Sequence, residues 1–268
     1  MESRGLRPDG TIAREGALSR VPAMFRPVVE AARARITAAF GPDRLHSAYL
    51  YGSVPRGTAT PGVSDLDLFL ALRHEPVDTD RGNARAVEEE LDRAFPQIAG
   101  AAVGLASAPD LLSDRERYDG GFFVACLCTP LIGDDLAALL PRYRPTSLLA
   151  RETNGDLGLL LPRWRARARQ AMTEADRKAL GRSVGRRLAR TAFTLVMPRW
   201  GGWTSDLKCT AEIAGRYYPE RAGQFRLAVA TGLGSPADAG VLRTLLDDLG
   251  PWLVTEYAAI HGLKAPRT

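Results

Sequence analysis

What most constrains this chain is a change of hydrophobic period near residue 145. Before it, short apolar runs of strand type alternate with helical stretches; after it, strand-like runs vanish and long helical patterns take over. Residues 46–51 are short and apolar and end at Gly52, residues 65–72 alternate acid with aliphatic, and residues 101–106 form a third short apolar run. Between the second and third, residues 77–95 set Val87, Leu91 and Phe95 against Glu88, Glu89, Asp92 and Arg93, the pattern of a crossover helix between strands. Upstream, Met24, Val28, Val29, Ala32, Ile36 and Phe40 recur at three- and four-residue steps, which predicts a helix over 21–40 with one buried face. The expected architecture is α+β: an α/β domain with a small mixed sheet over 1–145, ended by Pro141-Arg142-Tyr143-Arg144-Pro145, then an all-helical bundle over 146–268.

Charge separates the two halves further. Of the 36 basic residues only Lys178, Lys208 and Lys264 are lysine, and the net charge of +5 favours anionic partners. Between Arg142 and Arg190 there are 13 basic residues against 4 acidic ones, with Arg163, Arg165, Arg167 and Arg169 close together and Arg182, Arg186 and Arg190 at helical spacing. Val184, Leu188, Ala192 and Leu195 supply the opposite, buried face of that helix, so a solvated amphipathic helix and an anion-binding surface both fit. No apolar run has the length of a membrane span and residues 1–10 lack a signal-peptide pattern, which predicts a cytoplasmic protein without a membrane partner. Cys126, Cys128 and Cys209 lack paired metal-ligand spacing; the first two are expected as small buried residues, and neither disulfides nor structural zinc are expected.

The chemistry concentrates in Tyr51-Gly52-Ser53-Val54-Pro55-Arg56-Gly57 and in Ser64-Asp65-Leu66-Asp67-Leu68-Phe69-Leu70. On a strand, alternate side chains share a face, so Asp65 and Asp67 point one way while Leu66, Leu68 and Leu70 fill the core. Like charges held that close repel unless a cation neutralises them, which makes an aligned Asp-x-Asp a natural clamp for a divalent metal, magnesium being the expected ion. The strand-to-loop turn at Gly52-Ser53 lets backbone amides and a hydroxyl approach a triphosphate, because glycine removes the side chain that would block it. Arg56 adds a charge-assisted phosphate contact, and Ser64 lies beside the acids as a further candidate nucleotide contact.

This combination resembles the polymerase-β-like nucleotidyltransferase superfamily, whose signature is an apolar residue, Gly-Ser, a loop and then Asp-x-Asp flanked by aliphatics. The match covers residues 50–70. It is closest in pattern to bacterial aminoglycoside (streptomycin/spectinomycin) adenylyltransferases and to minimal nucleotidyltransferases. Thr129-Pro130-Leu131-Ile132-Gly133-Asp134-Asp135-Leu136 and Trp203-Thr204-Ser205-Asp206-Leu207-Lys208 are similar to later segments of the adenylyltransferases. The resemblance implies two Mg²⁺ ions on Asp65 and Asp67, an NTP donor, ATP first, and transfer of its nucleoside monophosphate to a hydroxyl of a small molecule such as an antibiotic. Antibiotic resistance would follow. It also implies that Lys208 reaches the triphosphate.

One departure matters. The superfamily usually places a third carboxylate on a neighbouring strand, as metal ligand or general base. Here that strand reads Ala101-Ala102-Val103-Gly104-Leu105-Ala106-Ser107, leaving Asp110 and Asp114 just beyond it as substitutes. Two further readings therefore stand beside the first: transfer to RNA, which the arginine-rich stretch favours, and a degenerate nucleotide-binding protein without catalysis. The clustered acids near the end of the helical half are Asp247, Asp248 and Glu256, which leaves room for a neutral or anionic acceptor.

Overall fold

The computed structural model describes residues 4–170 and 173–264. The chain divides into two compact units, one of residues 13–143 and one joining 144–264 to residues 4–12. The division falls beside the predicted proline-bracketed boundary. Residues 4–12, expected with the α/β half, instead group with the helical unit: the Trp203 N–H donates to the Arg4 carbonyl at 2.8 Å, and Arg4 in turn donates to the Trp200 carbonyl at 2.7 Å.

In the α/β unit, β1 (Leu45–Tyr51), β2 (Leu66–Leu72), β3 (Ala101–Ser107) and β4 (Thr129–Gly133) form one sheet in the order β3-β2-β1-β4. β1 runs antiparallel to β2 and β4, and β2 runs parallel to β3, so the sheet is mixed as expected. The parallel pair needs a crossover, supplied by α3 (Asp78–Ala94). α1 (Arg26–Arg44) buries Val28, Val29, Ala32, Ile36 and Phe40, the predicted stripe, and breaks its helical geometry at Gly41. Met24 departs from that stripe. It lies in a 3₁₀ turn before α1 and is 51% exposed, while Phe25 in the same turn is fully buried.

Leu66, Leu68 and Leu70 are fully buried in one core with Ala48, Leu50 and the inner faces of α1 and α3. Each such leucine contributes about 1.5–3 kcal/mol relative to an exposed one. The other face of the sheet packs Tyr49, Ala71 and Phe69 beneath α4 (Ala108–Leu111) and the π-helical turn Phe123–Leu127, which α5 (Gly120–Phe122) leads into. Phe123 meets the rings of Tyr51 and Phe69 edge-on, with centroids 5.0 and 5.3 Å apart. Cys126 and Cys128 are buried here as expected, and burial pushes the Cys128 thiol well up. β4 carries Pro130, which a strand tolerates at a sheet edge because no partner there needs its missing N–H.

The opposite edge is closed by side chains. The Ala101 and Val103 N–H groups of β3 donate to Asp92 at 2.7 Å and Glu88 at 2.6 Å, both from α3, so carboxylates cover amides that would otherwise invite another strand. At the other end of α3, Arg44 of α1 pairs with Asp80, holding its carboxyl below the usual carboxylate range chiefly through their hydrogen bond.

The helical unit is arranged on α8 (Glu174–Trp200), which packs against α6 (Ser147–Asn154), α7 (Leu157–Ala168), α9 (Leu207–Tyr217), α10 (Ala222–Gly232) and α12 (Gly250–His261). Val184, Leu188, Ala192 and Leu195 are buried, as their spacing predicts. α8 and α10 approach closely at Gly185, where a Cβ would stand 2.4 Å from the Ala228 carbonyl oxygen. Trp200 and Trp203 pack edge-on against Phe193. His261 is also structural: one ring nitrogen faces the Leu195 carbonyl at 3.0 Å, the other the Ser147 hydroxyl at 2.6 Å, and burial lowers its pKa. Among the described residues no helix is long and apolar enough to cross a membrane.

Candidate active site

The site forms where β1 ends and β2 begins. Tyr51, the last residue of β1, pairs with Asp67, the second of β2, and Asp67 is level with Ala102 on β3. Period-2 alternation, with Leu66 and Leu68 fully buried in the core, turns Asp67 to the opposite face, with Asp65 one repeat earlier just before the strand.

Gly52 explains how Asp67 is seated. Its φ of +79° and ψ of −150° turn the chain sharply between β1 and α2 (Ser53–Arg56), a backbone region that side chains rarely adopt. A Cβ on Gly52 would lie 2.2 Å from the Asp67 Oδ2, so the carboxylate occupies the space a side chain would fill. Asp65 has its own glycine neighbour. A Cβ built on Gly100 would stand 3.9 Å from its Oδ1. The sequence reading missed Gly100, whose signal was its place immediately before the third apolar run.

Ser53 opens α2, and its carbonyl accepts the Thr58 N–H at 3.0 Å, which folds the loop back under the turn. Ser64 closes that loop: its hydroxyl oxygen accepts the Thr60 N–H at 2.9 Å and its carbonyl accepts the Ala99 N–H at 3.0 Å. Arg56 ends α2 with Glu15 Oε2 3.6 Å from its guanidinium, a partner from the segment preceding α1 for which the sequence offered no signal. That segment is fixed by Glu15 N–H to the Cys126 carbonyl, Ala17 N–H to the Pro55 carbonyl, and Arg14 to Asp135 at 2.7 Å. Lys208 belongs to the helical unit, exposed in the first turn of α9, whose N-terminus Asp206 caps by accepting the Cys209 N–H at 2.9 Å.

The third carboxylate is not replaced by the acids just beyond β3. That strand carries the chain from Ala101, level with Leu66, to Ser107, about 20 Å away at roughly 3.3 Å per residue. Asp110 lies past the far end, paired with Arg115 at 2.5 Å, and Asp114 pairs with Arg117 at 2.6 Å. The position on β3 that shares the face of Asp67 is Ala102, which is exposed. Among the described residues, no group of three or more His, Cys, Asp or Glu side chains is placed to hold a metal ion. The arrangement offers two carboxylates, a bared backbone turn and a hydroxyl.

Residues 39–110 match the family model described as "Nucleotidyltransferase domain", a span that holds the Gly52-Ser53 turn, both acids and β3. None of the curated proteins matches this chain in sequence. Among solved structures, the spectinomycin adenyltransferase AAD(9) from Enterococcus faecialis, solved with ATP and spectinomycin, matches with a TM-score of 0.54 at 14% identity, over 85% of this chain and 98% of that one. At that identity the likeness concerns the fold, while the family match falls on the α/β unit. Residues 39–110 therefore match a nucleotidyltransferase domain, within a chain whose fold is similar to that of a spectinomycin adenyltransferase.

Proposed function

We propose that this nucleotidyltransferase moves the nucleoside monophosphate of an NTP, ATP in the first instance, to a hydroxyl of a small molecule such as an aminoglycoside-like antibiotic, releasing pyrophosphate. The observation that carries this reading is the Asp67 carboxylate lodged in the cradle left by Gly52, with Asp65 one strand repeat away. Two oxygen donors on one face beside bare backbone suit a hard divalent cation, and Asp65 and Asp67 are the residues that would hold it, as two Mg²⁺ ions in the full reading. Bound there, magnesium would offset charge on the triphosphate and on the departing pyrophosphate.

The chain's own groups divide the remaining work. Gly52 and Ser53 receive the phosphates on backbone amides and a hydroxyl, Ser64 keeps the loop closed beside Asp65, and Arg56 adds positive charge by exchanging part of its contact with Glu15 for phosphate. The acceptor oxygen attacks the α-phosphorus, the bond to the β-phosphate oxygen breaks so that pyrophosphate leaves, and the acceptor hydroxyl gives its proton to solvent water. Ala102 offers no base for that proton, so a carboxylate on β3 does not take it.

The neighbour solved with ATP and spectinomycin supports a hydroxylated small molecule as the acceptor. Asp247 and Asp248 are engaged by Arg165 and Arg221, and Glu256 by the Tyr218 hydroxyl, which favours a neutral or weakly charged acceptor over a polycation. The test is incubation with Mg²⁺, each NTP and a panel of aminocyclitol and aminoglycoside antibiotics, with total tRNA as the competing acceptor. Pyrophosphate release with an antibiotic mass gain of one nucleoside monophosphate is expected. Transfer to tRNA alone, or to nothing, would overturn the proposal.

A further inference from the structure

The arginine-rich stretch over 142–190 does not present one cationic face. Arg151 pairs with Glu152 and Arg187 with Asp156, while Arg186 donates to the Gly232 carbonyl at 3.0 Å. Positive charge gathers instead at a cleft of about 370 Å³, where the end of α7, the first turn of α8 and the end of α11 (Ala239–Arg243) converge. Arg165, Arg169, Arg177 and Arg243 line it, against one carboxylate, Asp247, which Arg165 already engages at 2.9 Å. Leu242 and Leu246 form an apolar part of its wall.

We propose that this cleft, on a different unit from Asp65 and Asp67, is a second ligand site that takes a polyphosphate chain, carried by a nucleotide or as inorganic polyphosphate. Arginines outnumber carboxylates among the residues lining the cleft, so it favours a polyanion. Guanidinium forks match phosphate oxygens two at a time, and forks arriving from three helices suit several linked phosphates better than one carboxylate. The volume lies within the range of small-molecule sites. An extended nucleic-acid backbone would call on arginines along the whole stretch, yet Arg151, Arg186 and Arg187 turn to partners within the unit.

The test is calorimetric binding of sodium tripolyphosphate and, separately, ATP to the full chain in EDTA, where no divalent ion can load the Asp65 and Asp67 pair. Both ligands should bind, more weakly as salt rises, and Arg169→Ala with Arg243→Ala should weaken both at least tenfold. Asp65→Asn with Asp67→Asn should leave both unchanged. Equal affinities for the two ligands support a site that reads the phosphate chain alone; tighter ATP supports a nucleoside resting on Leu242 and Leu246. Arg169 and Arg243 are exposed, so the variant should keep its thermal midpoint, which circular dichroism checks. Unchanged affinity in the arginine variant would overturn the site. So would a single-stranded RNA that binds tighter than tripolyphosphate and loses that binding in the same variant.

Discussion

The two faces of β2 share one backbone and do opposite work. On one, Leu66, Leu68 and Leu70 have no exposed surface and pack beneath α1 and α3; on the other, Asp67 stands half-buried against the bared Gly52 turn, with Phe69 and Ala71 behind it. The lesson is a separation of stability from chemistry within seven residues. Aliphatic side chains fix the height and tilt of the strand, and that fixed strand presents the Asp67 carboxylate to the Gly52 turn.

The sharpest way to break the comparison is on the acidic face. Asp67→Asn or Asp65→Asn should lower nucleotide transfer by at least about 10³-fold, equivalent to roughly 4 kcal/mol of barrier, while the thermal midpoint holds, because neither side chain belongs to the apolar core. Full activity in either variant, measured as pyrophosphate release, would sink the assignment. On the opposite face, Leu68→Ala should cost about 2–5 kcal/mol in chemical denaturation through the cavity it leaves, with the kcat of the remaining folded protein little changed. If transfer fell while stability held, the division of labour between the faces would be wrong.

Gly52→Ala probes the seam between the faces. Its Cβ would collide with the Asp67 carboxylate and its backbone would be strained at a φ of +79°. Transfer should drop by about 10²-fold, since displacing a reacting group by about 1 Å costs that much, with a midpoint loss smaller than for Leu68→Ala. The mildest change is Ala102→Asp, which places a third carboxylate on the acidic face beside Asp67. Without divalent ions it should destabilise the protein by about 0.5–1 kcal/mol, as like charges across neighbouring strands do, and saturating Mg²⁺ should restore the loss. A thermal scan with and without Mg²⁺ checks this; insensitivity to the ion would mean that Asp67 holds no metal.

Much of the α/β unit was legible because its signals are local. Short apolar runs marked β1 and β3 and acid–aliphatic alternation marked β2, each to within about a residue, and the stripe of α3 predicted a crossover that the parallel pairing of β2 with β3 requires. β4 escaped because Pro130 lowers its strand signal, and an edge position beside a slip in the ladder makes that proline tolerable. Met24 misled because helical spacing does not reveal where a 3₁₀ turn hands over to an α-helix. In the helical unit, charge counting suggested a basic face, whereas neighbouring helices supply Asp156, Asp247 and the Gly232 carbonyl to arginines that look alike in sequence.

By itself the amino-acid sequence determined the mixed strands, the helical half, and the turning of Asp67 away from the buried Leu66 and Leu68, because side-chain alternation on a strand is a property of neighbouring residues. Only the tertiary structure decided that Gly52 makes room for Asp67, that Ala102 stands where a third acid would, that Glu15 reaches Arg56, and that four arginines share one cleft. Those facts depend on which distant segments meet, and such meetings are set by packing rather than by local period.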